Sequence, residues 1–492
     1  MTERNTKATR KVVGPFNRVE GDLEVQLEIE HGTVTKAWVV SPLYRGFEQM
    51  LQGKHPLDAL VYVPRICGIC SVAQSVAAAR ALAALSGQPM PSNGRIASNL
   101  ILACENLADH LTHFYLFFMP DFAREAYNKH GFFEKAATRF RAVSGSATQD
   151  ILPARAELLH ITGILAGKWP HSLALQPGGT TRAIDLSEKN RLQTTLYNFR
   201  RFLEKKLFGT TLETIANFSS LSELQIWRSQ YPTEHSDLTH FLEISDSLSL
   251  HEHGKAYDRF MSYGVYDLEN DQLLQAGCYD RELGATALQL QNITEDLSYS
   301  WMEYSHTVAS HPFHGETRPS QNNKNAYTWC KSPRNDGKPM EVGAIARQLV
   351  HGNPLIRDLV KQNGANVRNR VIARLQELAI ITIAMENWAR QLRTGMPFCE
   401  TWNMPNEAQG YGITEAARGS LGHWVNIRRG KILNYQIIAP TTWNFSPRDS
   451  RGLPGPLELA LQGTPLESND SNSLIVQHIV RSFDPCMVCT VH

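Results

Sequence analysis

The sequence has few cysteines, no excess of either charge and no long hydrophobic run, and each scarcity excludes a class of protein. Eight cysteines in 492 residues are too few for a fold held together by disulfides. The formal net charge is +1, from 49 basic and 48 acidic residues, so nothing in the composition indicates a surface for nucleic acid or anionic lipid. No apolar run approaches the roughly 20 residues of a membrane-spanning helix, and no signal peptide opens the chain. We therefore expect a cytoplasmic protein that neither spans a membrane nor binds nucleic acid.

What the chain does contain is enough apolar material for a large buried core, since hydrophobic residues make up 42% of it. Apolar residues alternate over about the first forty positions, as in a hairpin or small sheet, and recur with a helical period from Pro56 onward. We predict helices over 72–85, 94–119, 150–167, 185–207, 341–351, 366–394 and 472–482, turn-rich stretches over 209–255 and 318–340, and a strand over 431–440.

The predicted fold class is mainly α, with one domain over residues 1–492. It has an N-terminal β region at about 12–45, a large helical-bundle body at about 56–395, and a C-terminal mixed region at about 410–492. The N- and C-terminal segments together are expected to form a small mixed α/β region beside the helical body.

Half of the cysteines form two Cys-x-x-Cys pairs, Cys67 with Cys70 and Cys486 with Cys489. This spacing lets one turn of backbone direct both sulfurs at one metal ion. Four thiolates suit Zn, Fe or Ni. On spacing alone a structural zinc site is the favoured interpretation, and a redox-active disulfide is a weaker one.

Three features count against a structural zinc site. The pairs lie more than 400 residues apart, whereas the cysteines of zinc ribbons and knuckles are usually close in sequence. The ionisable residues Arg65 and Asp484 flank the pairs, which a closed structural site does not need. The second pair also lies three residues before His492, itself a possible ligand.

The residues around both pairs resemble the two signatures of nickel–iron hydrogenase large subunits. The signatures are Arg-x-Cys-Gly-x-Cys, beginning at Arg65, and Asp-Pro-Cys-x-x-Cys-x-x-His, ending at His492. Further motifs follow in the family's order: Arg18-Val19-Glu20-Gly21, Arg45-Gly46-Phe47-Glu48, Asp109-His110-Leu111-x-His113-Phe114-Tyr115, Arg418-Gly419-Ser420-Leu421-Gly422-His423-Trp424, Asn434-Tyr435-Gln436 and Pro440-Thr441-Thr442-Trp443-Asn444. The resemblance spans almost the whole chain, and the motifs taken together are far more specific than most of them taken singly.

The resemblance implies a nickel–iron centre that cleaves H2 heterolytically to protons and electrons. All four cysteines would bind nickel, and Cys70 and Cys489 would also bridge to an iron carrying one CO and two cyanides. The resemblance also implies a Mg2+ ion bound by Glu48 and His492, with a backbone carbonyl near Ile437.

Five further residues receive roles from the resemblance. Glu20 resembles the proton-relay glutamate beside a ligating cysteine. Arg418 resembles the arginine held above the open metal position, with Asp109 and Asp484 as its ion-pair partners. Thr441 resembles the residue that donates a hydrogen bond to a cyanide. Without the resemblance, the charged members of this set would be interpreted as capping, surface or interface groups.

Three departures from the family's commonest pattern predict a specialised role. Gln74 stands where most members have a histidine; it can donate a hydrogen bond to a bridging sulfur but cannot carry a proton. Ile69 and Phe117 are bulkier than the residues usual along the gas channel and would narrow it against O2. The set resembles the H2-sensing (regulatory) hydrogenases, close to cyanobacterial-type uptake enzymes, and predicts an oxygen-tolerant protein with low turnover. The end of the sequence at His492 agrees, because the sensors are made without the C-terminal extension removed from most large subunits.

The expected partner is a small subunit that carries iron–sulfur clusters, because no further cysteine cluster remains in this chain for an electron relay. The assembly would be a heterodimer or a dimer of heterodimers. A sensor would signal through that subunit to a histidine kinase, whereas an uptake hydrogenase would pass electrons to a respiratory carrier. Two rival interpretations are weaker: the related quinone-reductase subunits have lost the cysteine quartet, and a structural zinc-binding scaffold would not need the other motifs.

Overall fold

The N-terminal segment forms a three-stranded antiparallel sheet in the computed structural model, which describes residues 9–87, 89–304, 307–466 and 473–492. Its strands, in the order β1-β2-β3, are β1 (Thr9–Val13), β2 (Glu24–Glu30) and β3 (Thr33–Val40). Val25 and Leu27 point into the core from one face of β2, as the predicted alternation requires. The hairpin predicted from the first forty residues is therefore present.

Helices dominate the middle of the chain. They are α1 (Phe47–Leu51), α2 (Ala59–Tyr62), α3 (Ser71–Ser86), α4 (Ser92–Thr112), α5 (Phe133–Phe140), α6 (Ser146–Ala166), α7 (Leu186–Phe202), α8 (Leu212–Asn217), α9 (Leu221–Ser229), α10 (Asp237–Ser247), α11 (Ala344–His351), α12 (Pro354–Asn363) and α13 (Val367–Gln391). Two π-helical turns, His113–Phe118 and Leu203–Phe208, continue α4 and α7. No helix among the described residues has the length and apolar character needed to cross a bilayer.

Short strands interrupt the helices. They are β4 (Leu175–Gln176), β5 (Gly179–Thr180), β6 (Arg259–Asp267), β7 (Gln272–Asp280), β8 (Gly284–Thr286), β9 (Ile293–Asp296), β10 (Ala309–Ser310) and β11 (Ser332–Asn335). They form antiparallel sheets of two or three strands: β4-β5, β6-β7-β8 and β10-β9-β11. With these sheets distributed among the helices, the mainly α fold class stays a prediction.

The helix predictions succeed where the apolar period is strong. The segment 72–85 lies inside α3, which ends at Gly87 in a left-handed conformation (φ 65°). The predicted helix 94–119 keeps α-helical form only to Thr112. It then widens into the π-helical turn His113–Phe118 and tightens into the 3-10 turn Met119–Ala123, which contains Pro120. The turn-rich prediction for 209–255 is wrong, because α8, α9 and α10 occupy most of that stretch.

The C-terminal region combines a sheet with short helices. Its strands are β12 (Ala408–Ala416), β13 (Gly419–Arg428) and β14 (Lys431–Ile438), and its helices are α14 (Pro440–Asn444), α15 (Pro456–Leu461), α16 (Leu474–Ser482) and α17 (Met487–Thr490). Helix α3 packs against β12 and β13. The approach is so close that a Cβ on Gly412 would lie 2.0 Å from the carbonyl oxygen of Ala77, so only glycine fits there.

The two ends of the chain also meet each other. The N–H of Val34 donates to the carbonyl of Thr464 (3.0 Å), and the N–H of Leu466 donates to that of Gly32 (2.8 Å). These bonds fasten the N-terminal sheet to the segment after α15. Helix α15 itself packs beside β3. Contact between the ends brings the two cysteine pairs into one neighbourhood.

Helix α13 lies at the centre of the body and carries buried charges. It contacts α4, α7, α8, α11 and α16. Its Glu377 accepts hydrogen bonds from Arg347 of α11 (2.7 Å), and it pairs with His110 of α4 (3.1 Å). Arg347 also contacts Glu415 of β12 (3.0 Å). Because all four side chains are buried, this network ties two long helices to the C-terminal sheet.

The replacement Glu377→Leu should reduce the stability of the chain strongly. It leaves Arg347 with one buried carboxylate instead of two, and breaking a buried ion pair costs about 3–5 kcal/mol. The measurement is the free energy of unfolding from urea denaturation. The matched control is Glu234→Gln, which removes an exposed partner of Lys135 and should change stability by less than about 1 kcal/mol. Equal effects of the two replacements would contradict a structural role for the network.

Candidate metal centre

The four cysteines of the two pairs form one buried cluster. Their sulfurs all lie within 4.8 Å of one another. Individual Sγ–Sγ distances are 2.8 Å for Cys486 and Cys489, 3.2 Å for Cys70 and Cys489, and 3.5 Å for Cys67 and Cys486. These distances exceed a disulfide bond of about 2.05 Å, and all four cysteines are free. The arrangement is that of a four-sulfur metal site.

Local structure turns each pair inward. Cys67 follows the 3-10 turn Val63–Ile66 in extended conformation (φ −150°), and Cys70 caps the N-terminus of α3. Between them, Ile69 donates its N–H to the sulfur of Cys67 (3.3 Å). In the second pair, Cys486 immediately precedes α17, which carries Cys489 in its single turn.

The electrostatics of the cluster favour a thiolate at Cys67. Hydrogen bonds from the neighbouring thiols hold the pKa of Cys67 well below its ordinary range, and the largest contribution comes from the thiol of Cys486. Burial, with a smaller contribution from the charge on Cys67, raises the pKa of Cys486, because a buried thiolate beside another negative charge is disfavoured. A soft metal ion would remove this conflict, because metal binding deprotonates the thiols it holds.

Arg418 lies in the turn between β12 and β13 and is held by both predicted partners. It forms a bidentate pair with Asp109 of α4 (2.7 and 3.1 Å), and it donates to the side chain (3.1 Å) and the backbone carbonyl (3.0 Å) of Asp484. Burial lowers the pKa of Arg418, but the two carboxylates outweigh burial and hold it well above its ordinary value. These bonds engage four of the five N–H donors of a guanidinium, which fixes its orientation.

Glu20 is placed beside the second cysteine pair by its backbone. Its N–H donates to the carbonyl of Pro485 (3.4 Å), and its carbonyl accepts from the N–H of Met487 (2.7 Å). Together these two bonds form an isolated parallel β-bridge between Glu20 and Cys486. Burial, and then the charge on Cys67, raise the pKa of Glu20 above its ordinary value. The half-buried carboxyl group is thus suited to accept and release protons near the sulfurs.

The glycine after Glu20 makes this approach possible. Gly21 has a left-handed conformation (φ 82°), and a Cβ on it would lie 3.0 Å from the backbone nitrogen of Val488. A larger residue would push the N-terminal segment away from the second cysteine pair.

Thr441 and Gln74 lie on two other sides of the cluster. The hydroxyl oxygen of Thr441 accepts from the N–H of Cys486 (3.1 Å), which leaves the hydroxyl hydrogen free to donate. The side-chain oxygen of Gln74 accepts from His423 (2.8 Å). Its side-chain nitrogen is buried and has no hydrogen-bond partner among the residues that the structure describes.

The two predicted gas-channel residues occupy different elements. Ile69 lies between the cysteines of the first pair, and Phe117 lies in the π-helical turn after α4; both are half-buried. The carbonyl of Phe117 accepts a hydrogen bond from Arg18 (3.1 Å), which joins this turn to the segment that carries Glu20.

A second polar cluster surrounds the C-terminal His492. Its Nε2 lies 3.3 Å from Glu48, and its Nδ1 lies 2.7 Å from the carbonyl of Cys489. Lys331, which the sequence analysis missed, also donates to Glu48 (3.0 Å). Burial alone would raise the pKa of Glu48, but Lys331 and His492 lower it to about 2.

The donors of this second cluster suit a hard cation. Glu295 and Gln436 add a carboxylate and an amide oxygen beside Lys331 (3.5 and 3.0 Å), and one oxygen of Glu295 is buried without a partner among the described residues. Oxygen donors of this kind fit Mg2+. Ile437, expected to offer its carbonyl, contacts Glu48 through its N–H (2.8 Å). No sequence pattern marked Lys331 or Glu295, since each lies far along the chain from Glu48.

The first cluster fits the nickel–iron centre that the sequence resemblance implies. It offers four buried sulfurs, a fixed guanidinium, the hydroxyl hydrogen of Thr441 and the side-chain nitrogen of Gln74, which has no partner among the described residues. Soft thiolates suit nickel and iron, and buried donors without partners indicate an anionic group that is to be bound between them.

Comparisons with known proteins agree with this assignment. The family described as nickel-dependent hydrogenase matches residues 45–138 and 149–492. The chain is 29% identical to the periplasmic [NiFeSe] hydrogenase large subunit of Desulfomicrobium baculatum, over 98% of this chain and 94% of the relative. It is 27% identical to the hydrogenase-2 large chain of Escherichia coli strain K12, over 98% and 97%. The structure of the Ni-Fe-Se hydrogenase from D. vulgaris Hildenborough superposes with a TM-score of 0.85 at 27% identity, covering 99% of this chain and 100% of the other.

Metal analysis of the purified protein should give nickel and iron and not zinc. Cys486→Ser should lower the nickel content at least about tenfold, because it removes a ligand thiolate. Cys278→Ser is the matched control: this buried cysteine lies outside the cluster and contacts Asn335, so its replacement should leave the nickel content unchanged. Stoichiometric zinc in the unaltered protein, or equal nickel loss in both variants, would contradict the assignment.

Proposed function

Because the chain belongs to the nickel-dependent hydrogenase family and is a large subunit that activates H2, we propose that it serves as a hydrogen sensor with low turnover. Family membership overturns the structural zinc-scaffold alternative. A respiratory uptake hydrogenase remains the second candidate, favoured by relatives whose names are those of hydrogenases and not of sensors. The observation that carries the sensor proposal is Gln74, held beside the cysteine cluster where a proton-carrying histidine is the common residue.

The cysteine cluster holds the centre, with Cys67, Cys70, Cys486 and Cys489 as its protein ligands. When bound, a nickel–iron centre supplies an open metal position that polarises H2 and receives its electrons. The sulfurs are excluded from water, which strengthens electrostatic interactions inside the site. CO and cyanide on the iron belong to this proposal, with Thr441 as a hydrogen-bond donor to a cyanide.

Proton transfer is the task of Glu20. Its carboxylate accepts the proton released at a cysteine sulfur and passes it toward the half-exposed N-terminal segment. The raised pKa of Glu20, caused first by burial, brings its affinity for protons closer to that of a thiol. Asp109 and Asp484 are engaged by Arg418 and fully buried, so neither offers the proton a path to the surface.

Arg418 stabilises negative charge above the sulfurs. Its ion pairs prevent it from moving toward solvent, and its remaining N–H is available to an anionic group of the centre. Asp109 and Asp484 act through it as positioning residues.

The low turnover and oxygen tolerance of a sensor depend on access to the centre. Ile69 donates its backbone N–H to the sulfur of Cys67, so its backbone is held next to that sulfur. Phe117 is anchored through its carbonyl to Arg18. Two bulky side chains on backbone held in this way would narrow a gas path.

The partners and the second metal complete the proposal. The relatives are large subunits or large chains of hydrogenases, and a small subunit carries the electrons away. For a sensor that subunit signals to a histidine kinase in the cytoplasm. Mg2+ is proposed at Glu48 and His492, where it would fasten the C-terminus; Glu295 and Gln436 supply further oxygen donors.

Replacing Glu20 with Gln should separate metal binding from proton transfer. The variant keeps its nickel, because the backbone bridge to Cys486 is unaffected, and it loses H2/D+ exchange by at least about 100-fold, because an amide cannot carry the proton. Exchange is measured by mass spectrometry of the gas phase. Glu28→Gln, on the same N-terminal segment but paired at the surface with Lys36, is the control and should exchange normally. Full exchange in the Glu20 variant would remove Glu20 from the proton path.

The double variant Ile69→Val, Phe117→Leu tests the oxygen tolerance expected of a sensor. Smaller side chains widen the path, so H2 oxidation should become sensitive to O2 while activity under H2 without air is retained. Activity is measured under H2 with and without air. The control, Ile226→Val, alters an exposed residue and should change nothing. Activity that stays equally tolerant of air in the double variant would overturn the narrow-channel explanation, and a parent protein already sensitive to air would favour the uptake enzyme.

A further inference from the structure

A chain of three buried side chains ends at Gln74. The ring nitrogen Nδ1 of His423 lies 2.9 Å from the hydroxyl of Tyr435, and its Nε2 lies 2.8 Å from the side-chain oxygen of Gln74. All three residues are fully buried. The chain therefore runs from Tyr435 through His423 to Gln74 without contact with solvent.

Rigid elements carry the three residues. His423 lies on β13 and Tyr435 on the adjacent strand β14. Gln74 lies in the first turn of α3, where its N–H donates to the carbonyl of Cys70 (3.2 Å). Gln74 lies four residues, about one helical turn, after Cys70. Because residues four apart share a face of a helix, Gln74 lies on the side of α3 that faces the cysteine cluster.

The hydrogen bonds that link Tyr435, His423 and Gln74 have one consistent donor-to-acceptor direction. Burial lowers the pKa of His423 to about 3, so its ring is neutral, with one donor and one acceptor nitrogen. If Tyr435 donates to Nδ1, then Nε2 carries the hydrogen and donates to the oxygen of Gln74. The amide nitrogen of Gln74, which has no partner among the described residues, is then free to donate elsewhere.

The opposite direction is disfavoured by charge. It would make Gln74 donate to His423 and would turn the amide oxygen toward the sulfurs. Thiolates are hydrogen-bond acceptors, and an oxygen acceptor facing them would be repelled. A chain of oriented hydrogen bonds also strengthens each of its members in a dry interior.

We propose that Tyr435 and His423 are positioning residues that hold the Gln74 amide with its N–H groups toward the cysteine sulfurs of the centre. The inference rests on the nickel–iron centre of the proposed function and adds the device that orients one of its neighbours. A donor at a sulfur withdraws electron density from the metals, as hydrogen bonds to sulfur do in iron–sulfur proteins.

The test uses infrared spectra of the mature heterodimer, in which metal-bound CO and cyanide report electron density at the iron. His423→Phe frees the Gln74 amide to rotate, so less density is withdrawn and the bands should shift to lower wavenumber with nickel retained. Tyr435→Phe removes only the bond that selects the ring tautomer and should give a smaller shift in the same direction. Tyr266→Phe is the matched control, because this buried tyrosine accepts a hydrogen bond from Asn106 (3.0 Å) away from the cluster. The CO and cyanide bands of this variant should not move.

A double-mutant cycle separates action through Gln74 from general disturbance. Gln74→Met removes the donor and should shift the bands at least as far as His423→Phe. The combined variant should match Gln74→Met alone, because His423 acts only through Gln74. Additive shifts, or unchanged bands in His423→Phe, would overturn the inference.

Loss of nickel also has a defined meaning. If His423→Phe fails to assemble, the spectrum of Tyr435→Phe decides: a shift supports the inference, and unchanged bands overturn it. Loss of nickel in both variants but not in Tyr266→Phe would assign the chain to folding of the site and likewise overturn it. Absence of CO and cyanide bands in the unaltered heterodimer would refute the nickel–iron centre itself, which is a distinct result.

Discussion

The backbone pairing of Glu20 with residues 485–487 is one of the contacts that hold the two ends of the chain against each other, and the metal site depends on these contacts. Each end supplies two of the four sulfurs, so neither half can bind the centre alone. The pairing needs a glycine at position 21, where Val488 leaves no space for a side chain. It also places the proton-accepting Glu20 beside Cys486 without a dedicated element of structure. Metal binding is consequently coupled to completion of the fold.

Around this junction, burial makes each polar group depend on a partner. Arg418 is stable in the interior because Asp109 and Asp484 surround it, since an unpaired buried ion would be very costly. The site retains donors that the protein itself does not use, on Gln74 and Arg418. An unpartnered buried donor costs about 1–3 kcal/mol, and an anionic group seated between these donors offsets that cost. The protein part of the site is thus incomplete in a way that matches a nickel–iron centre carrying an anionic group.

The sequence was most informative where chemistry is local. The spacing of each cysteine pair indicated a metal, and the alanine-rich period indicated α3 nearly to its ends. It failed over 209–255, where polar composition concealed three helices, although Ser220 and Ser236 cap α9 and α10 and Ser220 with Glu223 carries the spacing of a capping signature. Strands β6 and β7, which pair with each other across residues 268–271, were missed because strand propensity depends strongly on context.

The contacts around the site were less accessible to sequence analysis than the site itself. Lys331 approaches Glu48 from 283 positions along the chain, and His423 approaches Gln74 from 349. No periodicity or local spacing encodes such pairs. The family resemblance supplied roles for single residues and the partners of Arg418, but the hydrogen bond that orients Gln74 follows only from the packing of α3 on β13.

That packing bears on where a proton can go. A histidine at position 74 could hold a proton on the side of α3, whereas a glutamine cannot, and the neutral ring of His423 behind it donates its only hydrogen to the glutamine. On the opposite side, Arg418 engages both nearby aspartates. Glu20 is then the one acidic side chain among these neighbours that is both close to the sulfurs and partly exposed. In the proposed sensor, proton release through Glu20 and a gas path narrowed by Ile69 and Phe117 would both slow turnover, and slow turnover suits a protein that reports H2 and consumes little of it.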